Sequence, residues 1–179
     1  MAEIKSTLEL VMERTRHLSM SDEDKIQQAA REFKEAVNRL SLKYLDGQID
    51  LYRFRQEFDN LDKNPSARAD AVTEVARRID PTADNKPLLN LIKHGMDTDI
   101  SGFEIILDSF HRSARAEDAK AARQIKAGLL AQGILGSAVV PNLETDKERT
   151  QSLERMIEAF GEELAGKIAQ LRRSMLQLR

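Results

Sequence analysis

Apolar side chains recur along much of this chain at alternating spacings of four and three residues, the rhythm of a helix with one buried stripe. Between Glu3 and Leu18 the stripe reads Ile4, Leu8, Val11, Thr15 and Leu18, which predicts a first helix lying along a partner. It stops at "SMSDEDK", where Ser21 and Asp24 have the spacing of an approximate capping box and the acidic residues suit the positive end of a new helix. The next helix carries Ile26, Ala30, Phe33, Val37, Leu40 and Tyr44 and ends at Asp46-Gly47, because glycine accepts the left-handed backbone of a helix stop. Two such helices joined by a short turn predict an antiparallel hairpin over 1–46.

The region 47–133 reads as shorter helices. Leu51, Phe54, Phe58 and Leu61 define one that ends before Asn64-Pro65, and that pair then starts another as N-cap and first helical residue. Val72, Val75 and Ile79 give the second piece its apolar face, and Asp80-Pro81 closes it. "KPLLNLIKHG" predicts a third, ending at Gly95. Phe103, Ile106, Leu107 and Phe110 mark a fourth, opened by the polar cluster Asp97-Thr98-Asp99. The alanine-rich stretch from Ala114 to Gln132 continues that helix or breaks from it near Ser113. No repeat of fixed period is present, so a solenoid is not supported.

Ala127 to Leu143 is the longest uncharged run, and within it "GILGSAVVPN" mixes β-formers with two glycines and a proline. Gly133 stops the preceding helix, and Ile134 to Val140 favour extended backbone, which predicts a short extended connector over 134–142. Beyond it, 143–179 predicts a long coiled-coil-like helix with Thr145 and Glu148 as its capping box. Its seam is Leu153, Ile157, Phe160, Leu164, Ile168, Leu171, Met175 and Leu178, slipping once between Leu164 and Ile168. A rod of roughly 50 Å is expected from about 33 residues at about 1.5 Å each. Such a rod should pack on the N-terminal hairpin or on a second copy, and a homodimer is expected. The fold class is therefore an all-α helical bundle forming one structural domain.

Composition narrows the function. Charged residues make up 32% and aromatics 4% of 179 residues, with no Trp, so the core must be aliphatic and strands are disfavoured. A net charge of -2 gives no global attraction to nucleic acid or anionic membrane. The absence of cysteine removes disulfides, thiolate catalysis and cysteine-ligated zinc. The opening "MAEIKSTLELVMERTRHLS" lacks the apolar block of a signal peptide, and no apolar run reaches a membrane span, so a cytoplasmic protein is expected.

Four constellations remain as candidate sites. In the connector, Ile134, Gly136, Ser137, Val139, Pro141 and Asn142 either cover the bundle or offer an edge to a protein partner. The glycine spacing there matches no phosphate-binding motif. On a continuous helix, Arg112, Arg115, Arg123 and Lys126 fall on one side with Lys120 at its edge, a solvated face or an anion-binding stripe. Glu117 and Asp118 flank it and no aromatic interleaves it for base stacking, so nucleic acid is not the expected partner. Glu104, Asp108 and His111 at i, i+4 and i+7 have the spacing of metal ligands. They lack matching ligands elsewhere, so no metal and no cofactor is expected, and a metal-dependent enzyme is only an alternative. Tyr44, Tyr52, Phe54 and Phe58 hold half of the aromatics; Phe54 and Phe58 belong to a core face, while Tyr52 stands off it as a contact residue. No serine, histidine and acid arrangement is recognisable.

"MAEIKSTLELVMERT" and "GSAVVPN" resemble an uncharacterised family of conserved bacterial proteins with no assigned activity. The resemblance supplies no catalytic residue and directs attention to the glycine segment. The expected function is a non-enzymatic helical scaffold or adaptor acting through protein contacts.

Overall fold

The computed structural model describes residues 21–61, 64–134, 136 and 140–177. The predicted helix Glu3–Leu18, and with it the first arm of the hairpin, lies outside the described residues, as do Ser137 and Val139 of the connector.

Helix α1, Asp22–Leu45, begins with the predicted capping box: the Ser21 hydroxyl accepts from the Asp24 amide at 3.1 Å, and the Asp24 carboxylate accepts from the Ser21 amide at 3.2 Å. It stops at Gly47, whose φ of +72° lets the amides of Gly47 and Gln48 return to the carbonyls of Tyr44 and Lys43. Helix α2, Leu51–Asp59, starts where Asp50 accepts from the Arg53 amide and buries Phe54 and Phe58. Their rings stack at 5.7 Å, and the Arg68 guanidinium lies 4.5 Å above Phe58.

Helix α3, Pro65–Ala76, is capped by Asn64 with proline in its first turn, as the sequence predicts. It ends three residues short of Ile79. The amides of Arg78 and Ile79 turn back on Val75 and Ala76 in a tighter turn, and the residue before Pro81 is barred from helical backbone. Ile79 is buried all the same. The following loop is organised by Asn85, itself buried: its Nδ2 donates to the Asp80 and Ala83 carbonyls, and its Oδ1 accepts from the Asp80 amide. Replacing Asn85 by alanine removes three hydrogen bonds, though the Asp80 carbonyl keeps the Ala83 amide, and is expected to cost about 2 kcal/mol, read as a lower urea midpoint with unchanged slope.

Helix α4, Lys86–Asn90, runs into a π-helical turn, Leu91–Gly95, a widening that the periodicity does not reveal. Helix α5, Ser101–Ala131, is continuous through Ser113. No side chain of the Asp97-Thr98-Asp99 cluster caps it in the expected way. Ile100 occupies the N-cap, and Asp99 instead accepts from the amide and hydroxyl of Ser101. Helix α6, Lys147–Gln177, is the long C-terminal helix. Its predicted Thr145/Glu148 box is replaced by a 3-10 turn, Leu143–Thr145, after which Asp146 accepts from the Arg149 amide. The acid at 146 does the capping because Asn142 has already turned the chain.

Helix α3 lies between α1 and α6, touching both, and α2 packs on α1 and on the π turn. The shared core joins Val37, Phe54, Phe58, Val72, Val75, Leu91, Ile92 and Phe103. Helices α5 and α6 form an antiparallel hairpin: Gly102 lies against Lys167, the rings of Phe110 and Phe160 meet edge to face at 5.7 Å, and Asp118 bonds Arg149 at 2.6 Å. The long helix thus finds its packing partners, α3 and α5, within its own chain. Among the described residues the protein is all-α, without strands, and no helix is long and apolar enough to cross a membrane.

Candidate functional site

The end of the α5–α6 hairpin is the first candidate. α5 closes on Gly133, φ +78°, with the Gly133 amide on the Leu130 carbonyl and the Ile134 amide on the Leu129 carbonyl, both at 3.0 Å. Gly136 also has positive φ, +143°, a backbone that glycine accepts without a side-chain clash. Around this turn the apolar side chains face water: Leu130 is 58%, Ile134 48% and Val140 85% exposed. Asn142, a predicted partner contact, serves the fold: its side chain accepts from the Glu144 amide at 3.1 Å. Pro141 is half-buried.

The basic stripe stands on α5 as predicted, with Arg112, Arg115, Lys120, Arg123 and Lys126 all exposed. Two of its members are already paired, Arg112 with Asp108 at 3.3 Å and Lys120 with Glu117 at 3.2 Å. The third constellation does not assemble. Asp108 faces Arg112, and His111 Nε2 lies 3.0 Å from the Pro81 carbonyl, to which it donates as an N–H. Glu104 is exposed, and among the described residues no cluster of three acidic or histidine groups converges for a metal. Tyr52 stands off its core face as predicted, its hydroxyl accepting from Gln56 at 2.7 Å.

A second candidate escapes the sequence reading: a cleft of about 760 Å3 between α1, α3 and α6. Ala30 lines one wall, Ala67 and Thr73 lie on α3, and Gly161, Leu164, Ala165, Ile168 and Ala169 form the α6 side. Its rim is charged. Glu74 bonds both Lys34 and Arg77 at 3.0 Å, and Asp70 bonds Arg172 at 2.7 Å. The Lys34 hydrogen bond, helped by the charges of Lys34 and Arg77 and opposed by burial, holds the Glu74 carboxyl below its usual value of 4.5. The same Asp70 contact raises the Arg172 guanidinium. The only sequence trace of this cleft is the row of small residues Gly161, Ala165 and Ala169, one turn apart on α6.

A carboxyl depressed in the folded state stabilises above its unfolded value and loses that contribution as pH falls through the folded one. Acidification below about 4.5 is therefore expected to lower the urea midpoint of the wild type. In Glu74→Gln part of that drop should vanish, by about 1 kcal/mol or less because the rim is wet.

Compared with known proteins, the chain matches no family model, no curated protein and no solved structure.

Proposed function

We propose that this protein is a non-enzymatic cytoplasmic adaptor that engages a protein partner through the end of the α5–α6 hairpin. The observation that carries the reading is the exposure of three large apolar side chains, Leu130, Ile134 and Val140, within the short stretch from the last turn of α5 to the start of α6. Solvent-facing apolar groups at one spot mark contact surfaces more often than lone ones do. The hairpin is stiffened beneath them by the Asp118–Arg149 pair, and Ala121 is buried between its helices. Catalysis has no comparable support, since Asp108 and His111, two of the three groups singled out as ligands, pair with neighbours instead.

Helix α6 packs on α3 and α5 of its own chain, and the hairpin end is where we place the attachment of a second copy, as the sequence leads one to expect, or of another protein. The test is co-purification from the native cell with wild type and with Ile134→Asp/Val140→Asp. A partner retained by the wild type in fixed ratio and lost from the variant supports the reading, provided both melt alike. Identical recoveries would overturn it. If the basic stripe instead held a phosphate backbone, an oligonucleotide would bind at about 50 mM salt and release as salt rises.

A further inference from the structure

We propose that the cleft between α1, α3 and α6 binds a small amphipathic anion, an unbranched hydrocarbon chain ending in a carboxylate. None of its contacts belongs to the hairpin end, so the two readings fail separately.

Size and floor come first. The space of about 760 Å3 falls inside the range of small-ligand sites, about 300–1,000 Å3. Its apolar lining is aliphatic: Leu164 and Ile168 lie at its base, and Ala30, Ala165 and Ala169 are exposed to it. A Cβ built on Gly161 would meet nothing within 4 Å, so the track is open there as well. From Gly161 to Arg172 the helix rises by about 16 Å, room for a medium-length hydrocarbon chain laid along it.

The lining also restricts what can be recognised. Among the described residues it includes no aromatic ring, side-chain amide or imidazole, so nothing there stacks on a base or reads the hydroxyls of a sugar. Its one neutral polar side chain, Thr73, already donates its hydroxyl to the Asp70 carbonyl at 2.9 Å. Recognition is left to hydrocarbon contact and to charge.

The charge is unbalanced. Four cations, Arg31, Lys34, Arg77 and Arg172, line the space with only two carboxylates, Asp70 and Glu74, in a chain whose net charge is -2. Lys34 and Arg77 share Glu74, Arg172 takes Asp70, and Arg31 has no ion pair among the described residues. A guanidinium carries five N–H donors, of which Arg77 and Arg172 give one apiece to these carboxylates. An entering carboxylate thus meets unspent donors at the rim while its tail covers the exposed alanines. An acidic helix or an anionic membrane would answer to the same cations, but the bounded, concave, ring-free floor suits a single flexible chain.

Titration calorimetry of the full chain with sodium dodecanoate, kept below the concentration at which it forms micelles, tests this. One saturable site per chain is expected. Octanoate should bind at least tenfold more weakly, because four fewer methylenes are buried. Gly161→Phe places a ring in the open track and should weaken dodecanoate binding at least tenfold with the urea midpoint kept; Ala165→Leu fills the same track and stands in should that midpoint fall. Arg31→Glu should weaken binding at least threefold at low salt. Ile134→Asp/Val140→Asp should bind as the wild type does. No saturable binding, binding unmoved by the cleft variants, or binding lost from the hairpin-end variant alone would overturn the proposal. So would a response that appears only as a dimer is diluted, which gives the cleft to a second copy. Capture by phosphatidylglycerol vesicles without any response to free dodecanoate would overturn it too, giving the cations to a membrane surface.

Discussion

Phe54→Ala should lower the unfolding free energy by about 4 kcal/mol, close to the largest effect that a single side chain in this fold can have. Phe54 is fully buried, meets Tyr44 edge to face at 6.2 Å and stacks on Phe58. Its ring also fills the space that a side chain at Gly95 would need: a Cβ there would come within 2.9 Å of Phe54 Cδ1 and 3.1 Å of a Leu91 methyl. The glycine at the end of the π turn is therefore matched to the phenylalanine of α2. Gly95→Ala alone is expected to cost about 1–3 kcal/mol by overpacking. The two changes should not add, because truncating Phe54 opens the room that the new methyl requires. Chemical denaturation of the two single variants and the double variant measures this directly. Strict additivity would show that ring and glycine do not share the space described.

Phe160→Ala is expected to cost about 3–4 kcal/mol and to act on one part of the molecule first. Phe160 is buried and pairs with Phe110, just where α5 and α6 leave the core, and Leu164 and Ile168 continue the same face of α6. Losing the ring opens a cavity between the two long helices, so amide protection should fall along 101–110 before it falls in α1 or α2. Phe160→Leu should keep most of the stability, within about 1.5 kcal/mol of wild type, because volume and polarity are nearly conserved. A uniform loss of protection over the whole chain would mean that the hairpin does not loosen separately.

Much of the architecture was legible because it rests on local signals. The Ser21–Asp24 box, the stop at Gly47, the Asn64-Pro65 start and the stripe through Phe160, Leu164 and Ile168 are each written within a few residues. The misreadings share a cause. Ile79 looked helical because it is apolar and four residues beyond Val75, yet it is buried from a tight turn that follows the helix. Thr145 had the spacing of a cap, but Asn142 turned the chain earlier and left that role to Asp146. The π turn shows no periodic sign, and its last residue, Gly95, lies against Phe54 of a separate helix. Candidate sites fared less evenly. The exposure of the basic stripe followed from helix periodicity, whereas the sequence left open whether Ile134 covers the bundle or faces out. The partners that absorb Asp108 and His111, namely Arg112 and the Pro81 carbonyl, come partly from another segment. The cleft was invisible because it is a space between three elements, and only Gly161, Ala165 and Ala169 hinted at it.

The descending pairing of α5 with α6 has a consequence for reach. Beyond Phe110, α5 packs chiefly on α6, so its far part behaves as a strut of uniform cross-section. Seven residues added to each helix at matching heights, two full turns apiece, would carry the far end outward by about 10 Å while leaving the remainder undisturbed. The separation between base and end is thus a dimension that can be set by paired insertions, as the span of a caliper is set by its legs.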